Sequence, residues 1–280
     1  MKPKSLVFLV VLAVVIGVGV ALWRGSGPLP DPEGCSAQLA AHRVELTTEQ
    51  GENAALIAAI GVSRGLPARA VSIALATAYQ ESKIRNLTHG DRDSLGLFQQ
   101  RPSQGWGTTA QVRDPYYAIN AFYDALEKID DYKSMRITEA AQRVQRSGFP
   151  EAYEDHAADA RALASVLTGY SPGGHFTCVV KEPTEKGSAS QVMKQVERAY
   201  GDLDISRTGS RQNVAVTVNA DEAGVRLGWS VAQFVVAYGV RLHPEAVAYA
   251  EKRWQTGRDS EKGWAPGGKA DEATVHISMG

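Results

Sequence analysis

The chain opens on an uninterrupted apolar run. Leu6 to Trp23 carries no charge and is almost all Leu, Val, Ile, Ala or Gly. Eighteen helical residues span about 27 Å, close to the hydrocarbon thickness of a bilayer. Lys2 and Lys4 precede the run, and Trp23 closes it ahead of Arg24. The pattern predicts a cytoplasmic stub over 1–4 and a transmembrane anchor over 5–24 that makes contact with the membrane. The product is a single-pass cell-membrane protein with its N-terminus cytoplasmic and its bulk extracytoplasmic. A cleaved signal peptide is the competing reading. It needs a shorter apolar core and a small-x-small cleavage site, and Ala21-Leu22-Trp23-Arg24 is a poor one.

Residues 25–34, rich in Gly and Pro, read as a tether. Helical spacing follows. Thr47 with Gln50 makes a capping box ahead of Ala54, Ile57, Ala58 and Gly61. Gly65-Leu66-Pro67 ends that helix, and Pro67 opens the next. Its apolar face, Ala70, Val71, Ala74, Leu75 and Ala78, runs to about Glu81. Residues 83–112 show no period. Helices resume near Pro115–Asp130, Thr138–Gln145 and Glu151–Leu167, so residues 35–180 are expected to form an all-α domain. The polar stretch 181–190 (KEPTEKGSAS) reads as a linker. Beyond it, Asn213–Asn219 and Ala273–Met279 alternate like strands, while Glu222–Tyr238 and Pro244–Trp254 look helical. Residues 191–280 are therefore expected to be a smaller α+β domain. It would dock to the wall or to an envelope protein partner.

Composition narrows the choices. The 280 residues are 44% hydrophobic, enough for a real core, and the net charge of −1 provides no basic face for nucleic acid. The two cysteines, Cys35 and Cys178, bracket the expected all-α domain. In an oxidising compartment they would form a disulfide, with two separate buried thiols as the alternative. The six histidines lack metal-ligand spacing, so neither a metal nor a cofactor is expected. Asp91-x-Asp93-x-x-Gly96 begins like a calcium loop, but Leu95 and Pro102 stand where that loop requires acids.

The segment Tyr79–Trp106 is the richest in chemistry. Glu81 shares one helix side with Ala74, Thr77 and Ala78, at the helix C-terminus. An apolar surround and the negative end of the helix both disfavour an anion. A Glu held in its acid form is what a general acid needs to protonate a glycosidic oxygen. Trp106, flanked by Gly105 and Gly107, suits stacking on a sugar face, or else plugs the end of a helical core. Asp91 and Asp93 are the candidates for a second carboxylate. The alternative is that they satisfy backbone amides of their own loop.

Glu81-Ser82 is followed, 18 positions after the Glu, by Gln99 at the end of Gly96-Leu97-Phe98-Gln99. This resembles the soluble lytic transglycosylase branch of the lysozyme-like superfamily, in cell-wall-lytic modules of actinobacterial type. The resemblance covers roughly 45% of the chain. It implies an all-α lysozyme-like domain, Glu81 as catalytic acid/base, Ser82 in support and Gln99 in contact with substrate. The family's late Tyr-Asn pair is missing from Val144-Gln145-Arg146-Ser147-Gly148, but Tyr153 follows shortly and is carried as a substrate-binding candidate. The implied activity is cleavage of the MurNAc–GlcNAc bond of peptidoglycan strands. One carboxylate gives a 1,6-anhydro product through the sugar's N-acetyl group, whereas two give hydrolysis. The alternative is a non-catalytic peptidoglycan-binding or scaffold protein.

Overall fold

The structure, a computed structural model, describes residues 15–17, 19–20, 31–148, 151–209, 213–267 and 271–280. Residues 1–32 and 33–280 form two units. The first is described only at its helical residues 15–17 and 19–20 and at Asp31 and Pro32. Most of the expected anchor, and the whole stub, lie outside the described residues. Among the described residues no helix is long and apolar enough to cross a membrane. A span needs roughly 20 consecutive apolar helical residues; the described residues hold no such run, and the single-pass reading is not carried further.

The unit 33–280 is mixed α/β, which overturns the expected all-α domain. Three short strands, β1 (Gly34–Leu39), β2 (His42–Leu46) and β3 (Phe176–Val179), form an antiparallel sheet in the order β2-β1-β3. They alternate as a one-sided sheet requires. Cys35, Ala37, Val44, Leu46, Phe176 and Cys178 are buried, and their neighbours are not. Cys35 and Cys178 face each other in register and form a disulfide. Only a glycine fits beside that bond: a Cβ at Gly51 would lie 2.6 Å from Cys35 Sγ.

Gly51 belongs to α1 (Thr48–Ser63). Thr47 caps this helix through the capping box, with the Gln50 side chain accepting the Thr47 N–H at 2.9 Å. Residues Gly51 to Gly61 are all buried, so α1 is surrounded on every side. Around it lie α2 (Ala68–Ser82), α4 (Pro115–Leu126), α6 (Ala157–Leu167) and the later helices α7 (Ala189–Tyr200) and α8 (Glu222–Ala237). Two further helices of the first half are α3 (Thr109–Arg113) and α5 (Ile137–Gln145).

The second sheet has six antiparallel strands in the order β4-β5-β9-β6-β7-β8. These are β4 (Asp204–Thr208), β5 (Asn213–Thr217), β6 (Pro244–Tyr249), β7 (Lys252–Gln255), β8 (Ala265–Pro266) and β9 (Thr274–Met279). The expected helix over Pro244–Trp254 is in fact the β6–β7 hairpin. Its Ala, Glu, Lys and Arg favour helix locally. However, Ala250 (φ 46°) and Glu251 (φ 59°) take the paired left-handed conformation of a tight hairpin turn. Ala246, Val247 and Tyr249 are buried, and burial overrides a weak propensity.

The two halves share one core. Gln233 of α8 accepts the Phe176 N–H at 2.9 Å and donates to the Val166 carbonyl at 2.9 Å. The Trp254 indole donates to the Cys178 carbonyl at 3.0 Å, and Trp264 donates to that of Phe176 at 2.8 Å. Between α8 and β6 lies the four-residue helix α9 (Gly239–Leu242), whose Arg241 reaches Glu52 of α1.

Candidate active site

The end of α2 is held in an unusual shape. Lys83 and Ile84 both have φ of 57°, and their N–H groups bond back to the carbonyls of Tyr79 at 2.9 Å and Ala78 at 3.0 Å. Non-glycine residues in the left-handed region each cost about 1 kcal/mol or more, so neighbours must fix them. Gln50 and Asn53 of α1 do so by donating to the carbonyls of Lys83 and Ile84, each at 2.8 Å. The Gln50 amide therefore caps the start of α1 and braces the end of α2 at once. Glu81 rides on this braced terminus and is half-buried.

One residue on, Ser82 is buried and ties the helix to the following loop. Its Oγ lies 2.7 Å from the Leu97 carbonyl and 3.0 Å from that of Ala78, and it accepts the Arg85 N–H at 3.2 Å. This bond joins the two sequence blocks, Glu81-Ser82 and Gly96-Leu97-Phe98-Gln99. The turn itself needs glycine at 96, where φ is 77° and a Cβ would lie 2.3 Å from the Val112 carbonyl. Phe98 is fully buried and stacks on Phe122 with centroids 4.5 Å apart. Gln145, the last residue of α5, closes the turn from the far side by donating to the Phe98 carbonyl at 2.8 Å.

Glu81 meets Tyr153. The phenol donates to Glu81 Oε1 at 2.7 Å and is itself buried. Burial, and then the adjacent Glu81 charge, push the Tyr153 pKa far above that of a free phenol. The group therefore stays a hydrogen-bond donor across the whole working pH range. Next to this pair, His156 stacks on Tyr79 (4.7 Å between centroids) and bonds Gln80 Oε1 at 3.0 Å. Burial, and then the Lys83 charge, depress the His156 pKa, which favours a neutral imidazole.

Chain comparison adds no relative to this geometry: no family model matches the chain, and no curated protein does.

The remaining candidates are spread out. Gln99 (φ 46°) folds its amide back on the loop, with long bonds to the carbonyls of Gly96 (3.3 Å) and His89 (3.4 Å). Asp93 is enclosed by the Ser103 N–H (2.7 Å), the Ser103 hydroxyl (2.9 Å) and Arg101 Nε (3.1 Å). The Ser103 amide above all, and then its hydroxyl, hold the Asp93 carboxyl down at about 2. Asp91 points outward, its side chain 89% exposed. Asp93 thus closes its own loop, and Asp91 faces water. Trp106 lies on the wall of a cavity of about 640 Å³ whose lining also includes Lys128, Arg143, Gln145 and Arg146. Glu81 does not line that cavity.

Sequence reading passed over the cavity's cations and the Tyr79–His156 stack. Gln145 and Arg146 stood in the stretch already marked for its missing Tyr-Asn pair, so a signal was present. Lys128 and His156 carried none: each sits on a helical stretch where a polar residue reads as a solvated face.

Proposed function

We propose that this protein cleaves peptidoglycan glycan strands at the MurNAc–GlcNAc bond, with Glu81 as its single acid/base. The observation that carries this reading is the 2.7 Å bond from the buried Tyr153 phenol to a half-buried Glu81 on a braced helix end. A carboxyl group held by a neutral donor, with one face toward solvent, suits proton delivery to a leaving glycosidic oxygen. The engagement of Asp93 with Ser103 and Arg101 supports the one-carboxylate route. In that route Glu81 gives its proton to the bridging oxygen as the C1–O bond breaks. The substrate's N-acetyl oxygen attacks C1. Glu81, now a carboxylate, takes the proton of the sugar's O6 hydroxyl as O6 displaces the N-acetyl oxygen. The product is a 1,6-anhydro end, with no water consumed. The Cys35–Cys178 disulfide supports an oxidising compartment outside the cytoplasm as the place of action.

A non-catalytic glycan-holding module is the second reading, and Gln145 favours it. Gln145 abuts Phe98, in the stretch where the resembled family carries its Tyr-Asn pair. Clearing of purified peptidoglycan by the wild-type chain and by Glu81→Gln separates the two, and muropeptide mass spectrometry reads the chemistry. Wild-type clearing lost in Glu81→Gln, with product ends lighter by one water than hydrolysed ends, is the expected result. No clearing by either protein leaves the binder, and equal clearing by both removes Glu81 from the chemistry.

A further inference from the structure

The cavity beside the 3-10 turn Pro102–Gln104 has a composition that the cleavage chemistry does not use. Its walls come from that turn, the end of α4 and the residues after it, and the end of α5. Among the described residues Lys128, Arg143 and Arg146 line it, and no acidic side chain does. The excess is local, because the whole chain carries a net charge of −1. Arg143 is partly spoken for by Glu139, one helical turn earlier, at 2.8 Å. Among the described residues Lys128 and Arg146 have no acidic partner. A cation at a helix C-terminus is often explained by the helix dipole alone. That applies to Arg146, which follows α5, and to Lys128, which follows α4; what the dipole does not account for is that both line one cavity with an aromatic wall.

Trp106 and Ile129 give the same cavity an apolar wall. Its volume of about 640 Å³ lies in the range of small-ligand sites. Gln145 ties it to the candidate active site, since it lines the cavity and also holds the Phe98 carbonyl, next to the Leu97 carbonyl bonded by Ser82. An aromatic wall with two uncommitted cations recognises a group that is part apolar and part anionic, and carboxylate is the anion that guanidinium and ammonium groups bind in ordinary saccharide and peptide ligands.

We propose that this cavity is a specificity subsite for a carboxylate-bearing substituent of the glycan strand. Trp106 packs on its apolar part, and Lys128 and Arg146 bind its carboxylates. The identity of the strand, and with it the choice of carboxylate among anions, rests on the proposed function; the demand for an anion does not. In peptidoglycan the substituent is the lactyl-linked stem peptide, so strands bearing stems are preferred to strands stripped of them.

The test measures binding to the full chain by tryptophan fluorescence. The probes are a disaccharide muropeptide with a free stem carboxylate, the same stem peptide without sugar, and an uncharged chitooligosaccharide. Lys128→Ala/Arg146→Ala should bind the muropeptide and the free stem about tenfold more weakly than wild type, and the chitooligosaccharide equally well. The wild-type preference for the acidic probes should shrink in high salt. Both residues are exposed, so the variant should fold, and circular dichroism checks that it does. Equal binding of the acidic probes by variant and wild type overturns the subsite, and so does an equal loss for all three probes. If strands are never cleaved but the stem binds through Lys128 and Arg146, the subsite stands and the enzyme reading falls. If stripped and stem-bearing strands are cleaved alike by variant and wild type, the enzyme stands and the subsite falls.

Discussion

Glu52 in α1 and Glu81 at the end of α2 both lose water on folding, but their partners differ in kind. Glu52 is 8% exposed and receives the Arg241 guanidinium through Nη2 at 2.6 Å and Nε at 3.1 Å. Glu81 receives a neutral phenol. Glu52 is held by a cation that pairs with its charge, whereas Glu81 is held by a donor that carries no charge. The first arrangement ties α1 to the second half of the chain through an ion pair. The second leaves a carboxyl group free to pass a proton, which is the property an acid/base needs. The surroundings agree with this division. Glu52 is buried in α1 against a residue of the second half of the chain, while Glu81 sits beside a loop, a turn and a half-exposed helix end.

The sharpest break of this comparison is a pair of substitutions read twice. Glu81→Gln should cut strand cleavage by about 10³-fold, as expected for loss of a general acid. It should shift the melting temperature little, because a Gln side chain still accepts the Tyr153 hydrogen bond. Glu52→Ala should do the reverse. It should cost about 2 kcal/mol, or roughly 5 °C in melting temperature, with cleavage per folded molecule retained. The cost stays below that of a fully buried pair because the Arg241 side chain is 66% exposed and can turn to water. If both variants lose stability and activity together, the two glutamates do not have separate roles. Next in size is Tyr153→Phe. Losing the phenol should slow cleavage about tenfold, or ~1.4 kcal/mol in barrier, by leaving Glu81 without its positioning donor. A rate unchanged within twofold would show that the phenol does not orient the acid.

These two glutamates also show where sequence reading succeeds and where it stops. The spacing of Glu81-Ser82 to Gly96–Gln99 is local enough to suggest a contact, and the Ser82–Leu97 bond spans only 15 residues. The Thr47–Gln50 capping box is legible for the same reason. Glu52 gives no such hint. It lies in the first turns of a helix, where an acid normally faces water, and its partner is 189 residues away. The first sheet was lost to the same cause. Strands β1, β2 and β3 have four to six residues each, and the β1–β3 pairing joins Cys35 to Cys178 across the length of the expected all-α domain. Short strands far apart in sequence leave no period long enough to compete with helical spacing. Pro244–Trp254 failed differently: its residues favour helix, and only the fold's need for a central strand reverses them.

The smallest effect separates Glu52 from the other braced acid, Asp93, by the sign of its pH dependence. Burial raises the Glu52 pKa above its ordinary 4.5 and outweighs Arg241, because the carboxylate loses its water while the guanidinium keeps much of its own. A raised folded-state value means that the native protein binds this proton more tightly than the unfolded chain. The associated stability is therefore full below the unfolded value and is lost as pH rises through the folded one. Asp93 runs the other way. Its folded value is lowered from 3.8 to about 2, so its contribution is full above the unfolded value and is lost as pH falls toward the folded one. The two windows lie on opposite sides of pH 4. Melting curves of wild type, Glu52→Gln and Asp93→Asn, taken in steps from pH 2 to pH 7, should therefore diverge in opposite senses. The wild-type advantage over Glu52→Gln should shrink as pH rises above about 4.5, and its advantage over Asp93→Asn should shrink as pH falls below about 4. A wild-type advantage over Glu52→Gln that instead grows with rising pH would mean that Arg241, and not burial, governs that carboxylate. The contrast with Glu81 would then rest on the charge of the partner alone.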